Sequence, residues 1–245
     1  MNKVEQAVAF ALEAHEGVCR DSTAIPYILH PLEAAAIASG LTQDEDVIAA
    51  AVLHDVLEDT PHTGDEIRER FGDRVLRLVC ADTENKRPDR PSEETWKIRK
   101  QETLDRLAAV DDDEMIVIFS DKLANLRAIW NDYLTIWEEL WKRFSAPDPR
   151  EQLWYYSGIY FACTKLEWSP LYWEYGRKLR EIRDHVDEYE TYRHHDTNRL
   201  ALISTPSDNN WVFRWGATED LMVMTDNEFQ AFLDAQMGTE GGAEQ

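Results

Sequence analysis

The amino-acid sequence predicts an all-α fold with a small C-terminal appendage that contains strands. Three observations support this prediction. Apolar residues recur at helical spacing through most of the first 190 of the 245 positions. The chain has only 10 glycine residues but 9 tryptophan residues, a composition typical of helix-rich proteins with large aromatic side chains in the core. After Asn198 the helical spacing gives way to short apolar segments separated by turn-forming residues.

Capping and start signals place the first three helices. The first helix has apolar residues on one side and runs to about His15. Proline is favoured at the first position of a helix, where its missing N–H would have no acceptor. Pro31 therefore predicts a second helix over Leu32–Ser39, with His30 as its cap. A third helix is expected over Asp44–Leu57, whose apolar residues share one side.

Similar signals continue along the chain. Residues 63–66 have the Thr-x-x-Glu form of a capping box and begin the next helix. Gly72 separates this helix from another over Asp73–Ala81. Residues Glu84–Glu94 are polar and include two prolines, which is typical of an exposed loop. Later helices are expected around Trp96 and Leu104, from Met115 onwards, over Gln152–Thr164 and over Leu171–Tyr189.

The change of pattern after Asn198 predicts three segments. Residues 1–190 form the main helical domain, residues 199–237 form the small appendage, and residues 238–245 form a polar, disordered tail. Within the appendage we expect strands at Leu200–Ser204, Trp211–Trp215 and Leu221–Met224 and a helix at Glu228–Gln236.

The charge of the chain restricts its partners. It has 48 Asp and Glu residues against 26 Lys and Arg residues, which gives a net charge of −22. Duplex DNA and anionic membrane surfaces both require a basic face, so neither is an expected partner. An anionic small molecule is compatible with this charge, because it needs only a locally basic pocket.

Targeting and cysteine signals favour the cytoplasm. The N-terminus opens into a helical pattern without a hydrophobic secretory stretch. The apolar runs are all shorter than the roughly 20 residues that a membrane helix needs. Cys19, Cys80 and Cys163 are far apart and odd in number, which indicates neither a disulfide framework nor a cysteine-based zinc site. We therefore expect a cytoplasmic protein, and the sequence leaves its oligomeric state open.

One helix carries an unusual cluster of ionisable residues. His54 and Glu58 are four positions apart, and so are Asp55 and Asp59. Each pair therefore lies on one side of the helix, one turn apart. Like charges this close repel one another unless a cation or a shared proton lies between them. The cluster indicates a functional site rather than a solvated surface.

Two further residues are candidate partners of this cluster. His30 stands at a predicted helix start, and Asp121 lies in an otherwise apolar stretch, where an unpaired carboxylate would be costly. Two imidazoles and two carboxylates form a mixed nitrogen and oxygen site. Such a site suits Mn, Fe or Zn better than Ca or Mg.

Three ordered motifs resemble those of a known family. They are Arg20 with Pro26–Pro31, then Leu53–Thr60, then Asp121–Leu126. Together they resemble the HD-superfamily hydrolase domain of RelA/SpoT-type alarmone hydrolases and are most similar to the small, stand-alone bacterial members. The resemblance covers roughly residues 1–190 and implies an HD-domain helical bundle.

The resemblance also implies roles for individual residues. It implies one Mn²⁺ ion held by His30, His54, Asp55 and Asp121. Glu58 and Asp59 act on the attacking water, and Arg20 and Asn125 lie beside the nucleotide. The implied reaction removes the 3′-pyrophosphate of guanosine tetra- or pentaphosphate, (p)ppGpp. The chain has no room for the synthetase domain of the long members, so we expect hydrolysis only.

A basic segment lies between the second and third motifs. Residues Lys86–Lys100 contain six Lys and Arg residues in an otherwise acidic chain. They could form a flap in which Lys86 and Arg99 clamp phosphates, or an ordinary solvated loop. Arg150 and Tyr155 are further candidates for the far side of the pocket. We expect His15 to be a hydrogen-bonded structural residue.

The chain departs from the family pattern in its first loop. Asp21 replaces a lysine that usually follows the arginine, and Ala128 replaces a frequent threonine. These departures bear on the substrate more than on the chemistry. The alternatives are a phosphatase for another nucleotide, such as a nucleoside monophosphate or the 2′-phosphate of NADPH, and a catalytically silent nucleotide-binding module.

Overall fold

The computed structural model describes the backbone of residues 1–20, 23–195, 199–202 and 222–225, and the side chains of residues 1–20 and 23–186. Helices dominate this part of the chain, which confirms the predicted all-α class. The helices are α1 (Lys3–Ala14), α2 (Leu29–Ser39), α3 (Glu45–Leu53), α4 (Val56–Asp59), α5 (Gly64–Phe71), α6 (Asp73–Asp82), α7 (Ser92–Leu107), α8 (Asp112–Ile136), α9 (Pro149–Ala162) and α10 (Pro170–His195). Two 3₁₀ helices span Trp137–Arg143 and Thr164–Leu166.

The α3 helix lies at the centre of the helical core. It contacts α1, α2, α6 and α8, and its residues from Ala49 to Leu53 are completely buried. A helix that is apolar all round is stable only when other elements surround it. The three consecutive alanines of α3 let the neighbouring helices approach closely. The end of α3, where His54 follows, is therefore fixed deep inside the protein.

The helix predicted over Asp44–Leu57 is interrupted in the structure. The α3 helix ends at Leu53, and α4 begins at Val56 after a turn at His54 and Asp55. Consecutive residues of a regular helix do not face each other, yet His54 Nε2 lies 2.9 Å from Asp55 Oδ2. The interruption allows both side chains to reach the same point.

The start of α2 also differs from the expectation. The α2 helix begins at Leu29, so His30 lies inside its first turn rather than at its cap. Pro31 fits there because the first four N–H groups of a helix have no acceptor within the helix. The capping boxes of α1 and α5 are present, the second at Thr63 and Glu66 as predicted.

The C-terminal part of the chain contains two described strands. Strand β1 (Arg199–Leu202) pairs antiparallel with β2 (Met222–Thr225), and Arg199 lies opposite Thr225. The strand expected at Trp211–Trp215, the helix expected at Glu228–Gln236 and the tail lie outside the described residues. The chain divides into two compact units, residues 1–179 and 180–245. The three-segment organisation and the strand-containing appendage stay predictions.

Among the helices that the structure describes, none is long and apolar enough to cross a membrane.

Core packing around α8 leads to a first prediction. Phe119 is completely buried, and its ring centroid lies 5.4 Å from that of Tyr175. Replacing Phe119 by Ala should lower the free energy of unfolding by about 3–5 kcal/mol, because it removes buried area and leaves a cavity. Trp168 is 63% exposed, and Trp168→Ala, the control, should change this free energy by about 0.5 kcal/mol or less. Denaturant unfolding measures both, and equal effects would contradict the described core.

Candidate functional site

Three buried side chains from three helices converge in the core. His30 of α2, His54 at the end of α3 and Asp121 of α8 each offer one potential ligand atom, and these atoms lie within 4.8 Å of one another. The two histidine Nε2 atoms are 3.2 Å apart. Asp121 Oδ1 lies 3.0 Å from Nε2 of His30 and 3.4 Å from Nε2 of His54. Side chains of these types at this spacing can share one metal ion.

Asp55 adds a second carboxylate to this group. Its Oδ2 atom lies 2.9 Å from His54 Nε2 and 3.4 Å from His30 Nε2. The two imidazoles and two carboxylates that the sequence analysis singled out are therefore close together in the fold.

The hydrogen bonding of His54 determines what this group can bind. Its Nδ1 atom lies 2.8 Å from the carbonyl oxygen of Ala51. A carbonyl oxygen only accepts, so Nδ1 carries the hydrogen, and Nε2 of the neutral ring presents a lone pair. This lone pair faces His30 Nε2 and the carboxylate oxygens of Asp55 and Asp121. Electron-rich atoms that converge in this way fit a cation.

The electrostatics of the group lead to the same conclusion. Burial alone lowers the pKa of His54, but Asp55 and Asp121 outweigh burial and hold this pKa well above its ordinary value. Burial raises the pKa of Asp121, but Lys122 and His54 outweigh it and hold this pKa well below its ordinary value. The carboxylates thus favour positive charge at their centre, and a proton and a metal ion compete for it.

A second set of contacts surrounds Asp121. Its Oδ2 atom forms an ion pair with the buried Lys122, whose Nζ atom also lies 3.1 Å from Asp82 Oδ1. Asn125 Nδ2 donates a hydrogen bond of 2.6 Å to Asp121 Oδ1. Burial raises the pKa of Asp82 to about 7, although Lys122 opposes this shift. Both oxygens of Asp121 are therefore held in place by neighbouring donors.

The two acids of α4 lie beside this group. Tyr27 Oη is 2.6 Å from Asp55 Oδ2 and 2.9 Å from Asp59 Oδ2. Glu58 accepts a hydrogen bond of 3.1 Å from the backbone N–H of Glu84. Lys86 Nζ lies 2.5 Å from Asp59 Oδ1 and 3.4 Å from Glu58 Oε1. Burial raises the pKa of Glu58. This carboxylate therefore accepts a proton more readily than an ordinary surface glutamate does.

Apart from the buried His54 side chain, these side chains line one cavity of about 840 Å³. Eight carboxylates line it, against five Lys and Arg side chains. The basic residues are Arg20, Lys86, Lys100, Lys122 and Arg143. Because acids outnumber bases, an anionic ligand would be repelled overall unless additional positive charge is present. A divalent cation would supply that charge.

Arg20 differs from the other four bases. Lys86, Lys100, Lys122 and Arg143 each form an ion pair, whereas Arg20 forms none with any residue that the structure describes. The loop that carries it is closed by a hydrogen bond of 2.9 Å from the backbone N–H of Arg20 to the carbonyl oxygen of Ile25. Asp21 lies outside the described residues, so its effect on Arg20 stays a prediction.

Three predicted substrate contacts do not line the cavity, and these expectations need correction. Arg99 Nη1 lies 2.9 Å from Glu84 Oε2, and the Arg99 side chain is only 10% exposed. Tyr155 is buried in the core, where its ring contacts that of Trp96. Arg150 lies in the first turn of α9, outside the cavity lining. The basic segment reaches the cavity through Lys86 and Lys100 instead.

His15 also differs from the expectation of a hydrogen-bonded structural residue. It is buried, but neither ring nitrogen has a hydrogen-bond partner among the described residues. Burial lowers its pKa, and its ring centroid lies 4.9 Å from that of Tyr27. His15 therefore packs against Tyr27 as a neutral ring.

Sequence reasoning missed three residues of the site. Tyr27 and Lys122 lie inside the family motifs, but the sequence pattern indicates no role for either. Asp82 ends the amphipathic helix α6, where a carboxylate is unfavourable because the C-terminus of a helix carries partial negative charge. That unfavourable position was a signal that Asp82 has a cationic partner.

Comparison with known proteins places these features in a family. A family model described as an HD domain matches residues 7–136. A guanosine-3′,5′-bis(diphosphate) 3′-pyrophosphohydrolase of Aquifex aeolicus is 33% identical over 190 residues, which are 76% of this chain and 26% of that protein. The bifunctional (p)ppGpp synthase/hydrolase SpoT of Escherichia coli is 42% identical over 79 residues, which are 32% of this chain and 11% of that protein. The chain thus spans about a quarter or less of the length of these relatives.

Two solved structures are similar in fold. A metazoan ortholog of SpoT that hydrolyses ppGpp superimposes with a TM-score of 0.58 at 23% identity, covering 74% of this chain and 94% of that one. A protein of Listeria monocytogenes gives a TM-score of 0.55 at 33% identity, covering 65% of this chain and 99% of that one. The family model covers more than half of the chain, and the names of its relatives agree with the motifs. The chain therefore belongs to the HD domain family, and its resemblance to the RelA/SpoT-type hydrolases is confirmed.

Proposed function

We propose that this protein hydrolyses the 3′-pyrophosphate of (p)ppGpp in a metal-dependent reaction and releases GDP or GTP and pyrophosphate. One observation carries the proposal. The residues that converge in the core all lie within residues 7–136, the part of the chain that matches the HD domain, and 76% of the chain is 33% identical to a guanosine-3′,5′-bis(diphosphate) 3′-pyrophosphohydrolase. The substrate is proposed from this relationship, and the chemistry is argued from the residues of the site.

The proposed metal ligands are His30, His54, Asp55 and Asp121. Their donor atoms are two imidazole nitrogens and two carboxylate oxygens, a set that suits Mn²⁺ and related transition metals. A divalent cation held there supplies Lewis-acid chemistry, which favours attack by water near neutral pH and stabilises charge on a phosphoryl oxygen. Lys122 and Asn125 hold the Asp121 carboxylate in one orientation.

We assign the handling of the attacking water to Glu58 and Asp59. Both carboxylates line the cavity beside the proposed metal ligands. Glu58 is fixed by the backbone N–H of Glu84, and Asp59 by Tyr27 and Lys86. A fixed carboxylate can orient a water molecule and accept its proton without first reorganising. Arg20 binds the remaining phosphates, together with Lys86, which contacts the acid pair of Glu58 and Asp59.

A phosphatase for another nucleotide remains the second candidate. Ala128 lines the cavity in place of a frequent threonine of the family, and Asp21 follows Arg20 in the first loop. Both changes remove polar or positive groups from the expected nucleotide side. They favour a substrate with fewer phosphates on that side, such as a nucleoside monophosphate or NADPH.

The reaction product tests the proposed function. With Mn²⁺ present, the purified protein should release pyrophosphate from ppGpp in equal amounts to GDP, because attack occurs at the phosphorus attached to the 3′ oxygen. Chromatography of the nucleotides with a separate pyrophosphate assay measures both products. The Asp121→Asn variant controls for contaminating enzymes. Release of orthophosphate alone from ppGpp, nucleoside monophosphates and NADPH would reject the alarmone in favour of a phosphatase.

Metal binding is tested without any substrate. Asp121→Asn removes the charge of one proposed ligand at nearly constant volume, and His54→Asn removes the imidazole of another. The Mn²⁺ affinity should fall by more than the roughly 10- to 100-fold that loss of an outer contact causes. Calorimetric titration of the chelated protein measures it. His62→Asn is the matched control, because His62 contacts Glu66 outside the cavity. Equal affinity in all three variants would rule out this ligand set.

Two substitutions in the basic segment distinguish a substrate contact at Lys86 from a structural ion pair at Arg99. Lys86→Met removes a cation that lines the cavity beside Glu58 and Asp59. This change should raise KM for ppGpp about tenfold, and the increase should be smaller at high salt concentration. Arg99→Gln removes one of the two cations that neutralise the buried Glu84, and should mainly lower the thermal unfolding temperature. Steady-state kinetics and calorimetry measure the two effects. A larger KM effect from Arg99 than from Lys86 would restore the clamp predicted from the sequence.

A further inference from the structure

The hydroxyl of Tyr27 lies between two carboxylates of different proposed roles. Asp55 Oδ2, at 2.6 Å, is the oxygen that faces both histidines, and Asp59 Oδ2, at 2.9 Å, belongs to the acid pair. Both distances are within the range of O–H···O hydrogen bonds. We propose that Tyr27 is a positioning residue, whose hydroxyl fixes the proposed metal ligand Asp55 and the proposed water-handling acid Asp59 relative to each other.

A phenol has one hydrogen to donate, so it cannot donate to both carboxylates at once. Whichever carboxylate lacks the hydrogen faces an oxygen lone pair at hydrogen-bond distance. That contact is tolerable only if each carboxylate has a positive partner on its other side. Lys86 provides it for Asp59, and the proposed cation provides it for Asp55. The hydroxyl thus lies between two carboxylates that each have a positive partner on the far side, and it separates their like charges.

The surroundings of Tyr27 hold its ring in place. Its backbone N–H donates to the carbonyl of Val18, and its own carbonyl accepts from the N–H of His30, each at 2.9 Å. The ring packs against the buried ring of His15, with centroids 4.9 Å apart. A short loop anchored at both ends and a buried neighbour therefore fix the hydroxyl before any ligand binds. Such outer contacts orient ligands and tune their basicity.

The test replaces Tyr27 by Phe, which keeps the ring and removes only the hydroxyl. The Mn²⁺ affinity should fall roughly 10- to 100-fold, and the visible spectrum of the Co²⁺-substituted protein should change because Asp55 loses its fixed orientation. The kcat for ppGpp should fall while KM changes little. Thermal unfolding of the metal-free protein should be nearly unchanged, which separates positioning from a general structural role.

Tyr156→Phe is the matched control, because Tyr156 is a second phenol of the cavity lining and makes no hydrogen bond to Asp55 or Asp59. Its Mn²⁺ affinity and Co²⁺ spectrum should equal those of the unaltered protein. Asp59→Asn is a second probe. It leaves the Tyr27 hydrogen free for Asp55, so the metal affinity should persist while kcat falls. Loss of metal binding in Asp59→Asn would contradict the separate roles of the two carboxylates.

The inference rests on the proposed metal site, and its failure is distinguishable from failure of the proposed function. Unaltered protein that binds Mn²⁺ but does not hydrolyse ppGpp overturns the function only, because Tyr27→Phe is then judged by affinity and spectrum. Tyr27→Phe protein with unaltered affinity and spectrum overturns the inference only. Unaltered protein that binds no divalent metal overturns both.

Discussion

The negative charge of Asp121 is buried in the middle of α8, and much of the site follows from the need to neutralise it. An ionised carboxylate in a protein interior costs several kcal/mol unless it is paired and hydrogen-bonded. Asp121 lies in a helix whose buried residues are mostly apolar, and its side chain is only 5% exposed. One oxygen contacts Lys122, and the other faces Asn125 and the two histidines. The charge is therefore held where it can attract a further cation, rather than being cancelled completely.

The neutralising charges extend outward from Asp121 in alternating sign. Lys122 is itself buried and contacts Asp82 at the end of α6, and Glu84, two residues later, contacts Lys100 of α7. These pairs fix the segment between α6 and α7. The backbone N–H of Glu84 then donates to Glu58 of α4, and the side chain of Lys86 contacts Asp59. The basic segment is thus an anchored part of the site wall, and most of its charge is already neutralised by neighbouring acids.

The sequence predicted most of the local elements and singled out the residues that converge in the core, but it did not predict most long-range pairs. Capping boxes act within a few residues, so the start of α5 could be read directly, whereas the start predicted from Pro31 fell inside α2. The acids clustered one helical turn apart singled out His54, and the cost of an unpaired carboxylate in an apolar stretch singled out Asp121. Arg99 could not be assigned in this way, since a basic run does not specify which acid each member meets. The interruption at His54 also depends on tertiary contacts, because the local apolar pattern continues through it.

Charge balance in the cavity links the proposed metal and substrate. Among the residues that the structure describes, four of the five lining cations are paired with acids, and Arg20 is the exception. A nucleotide with two diphosphate groups therefore meets few uncommitted positive charges in the metal-free protein. A bound divalent ion changes this balance at the place where the carboxylates converge. Because affinity couplings are reciprocal, a substrate that binds better with the metal present must also strengthen metal binding. The acidic composition that argued against nucleic-acid and membrane partners is thus compatible with a polyanionic substrate, because a bound divalent ion would add positive charge where the carboxylates converge.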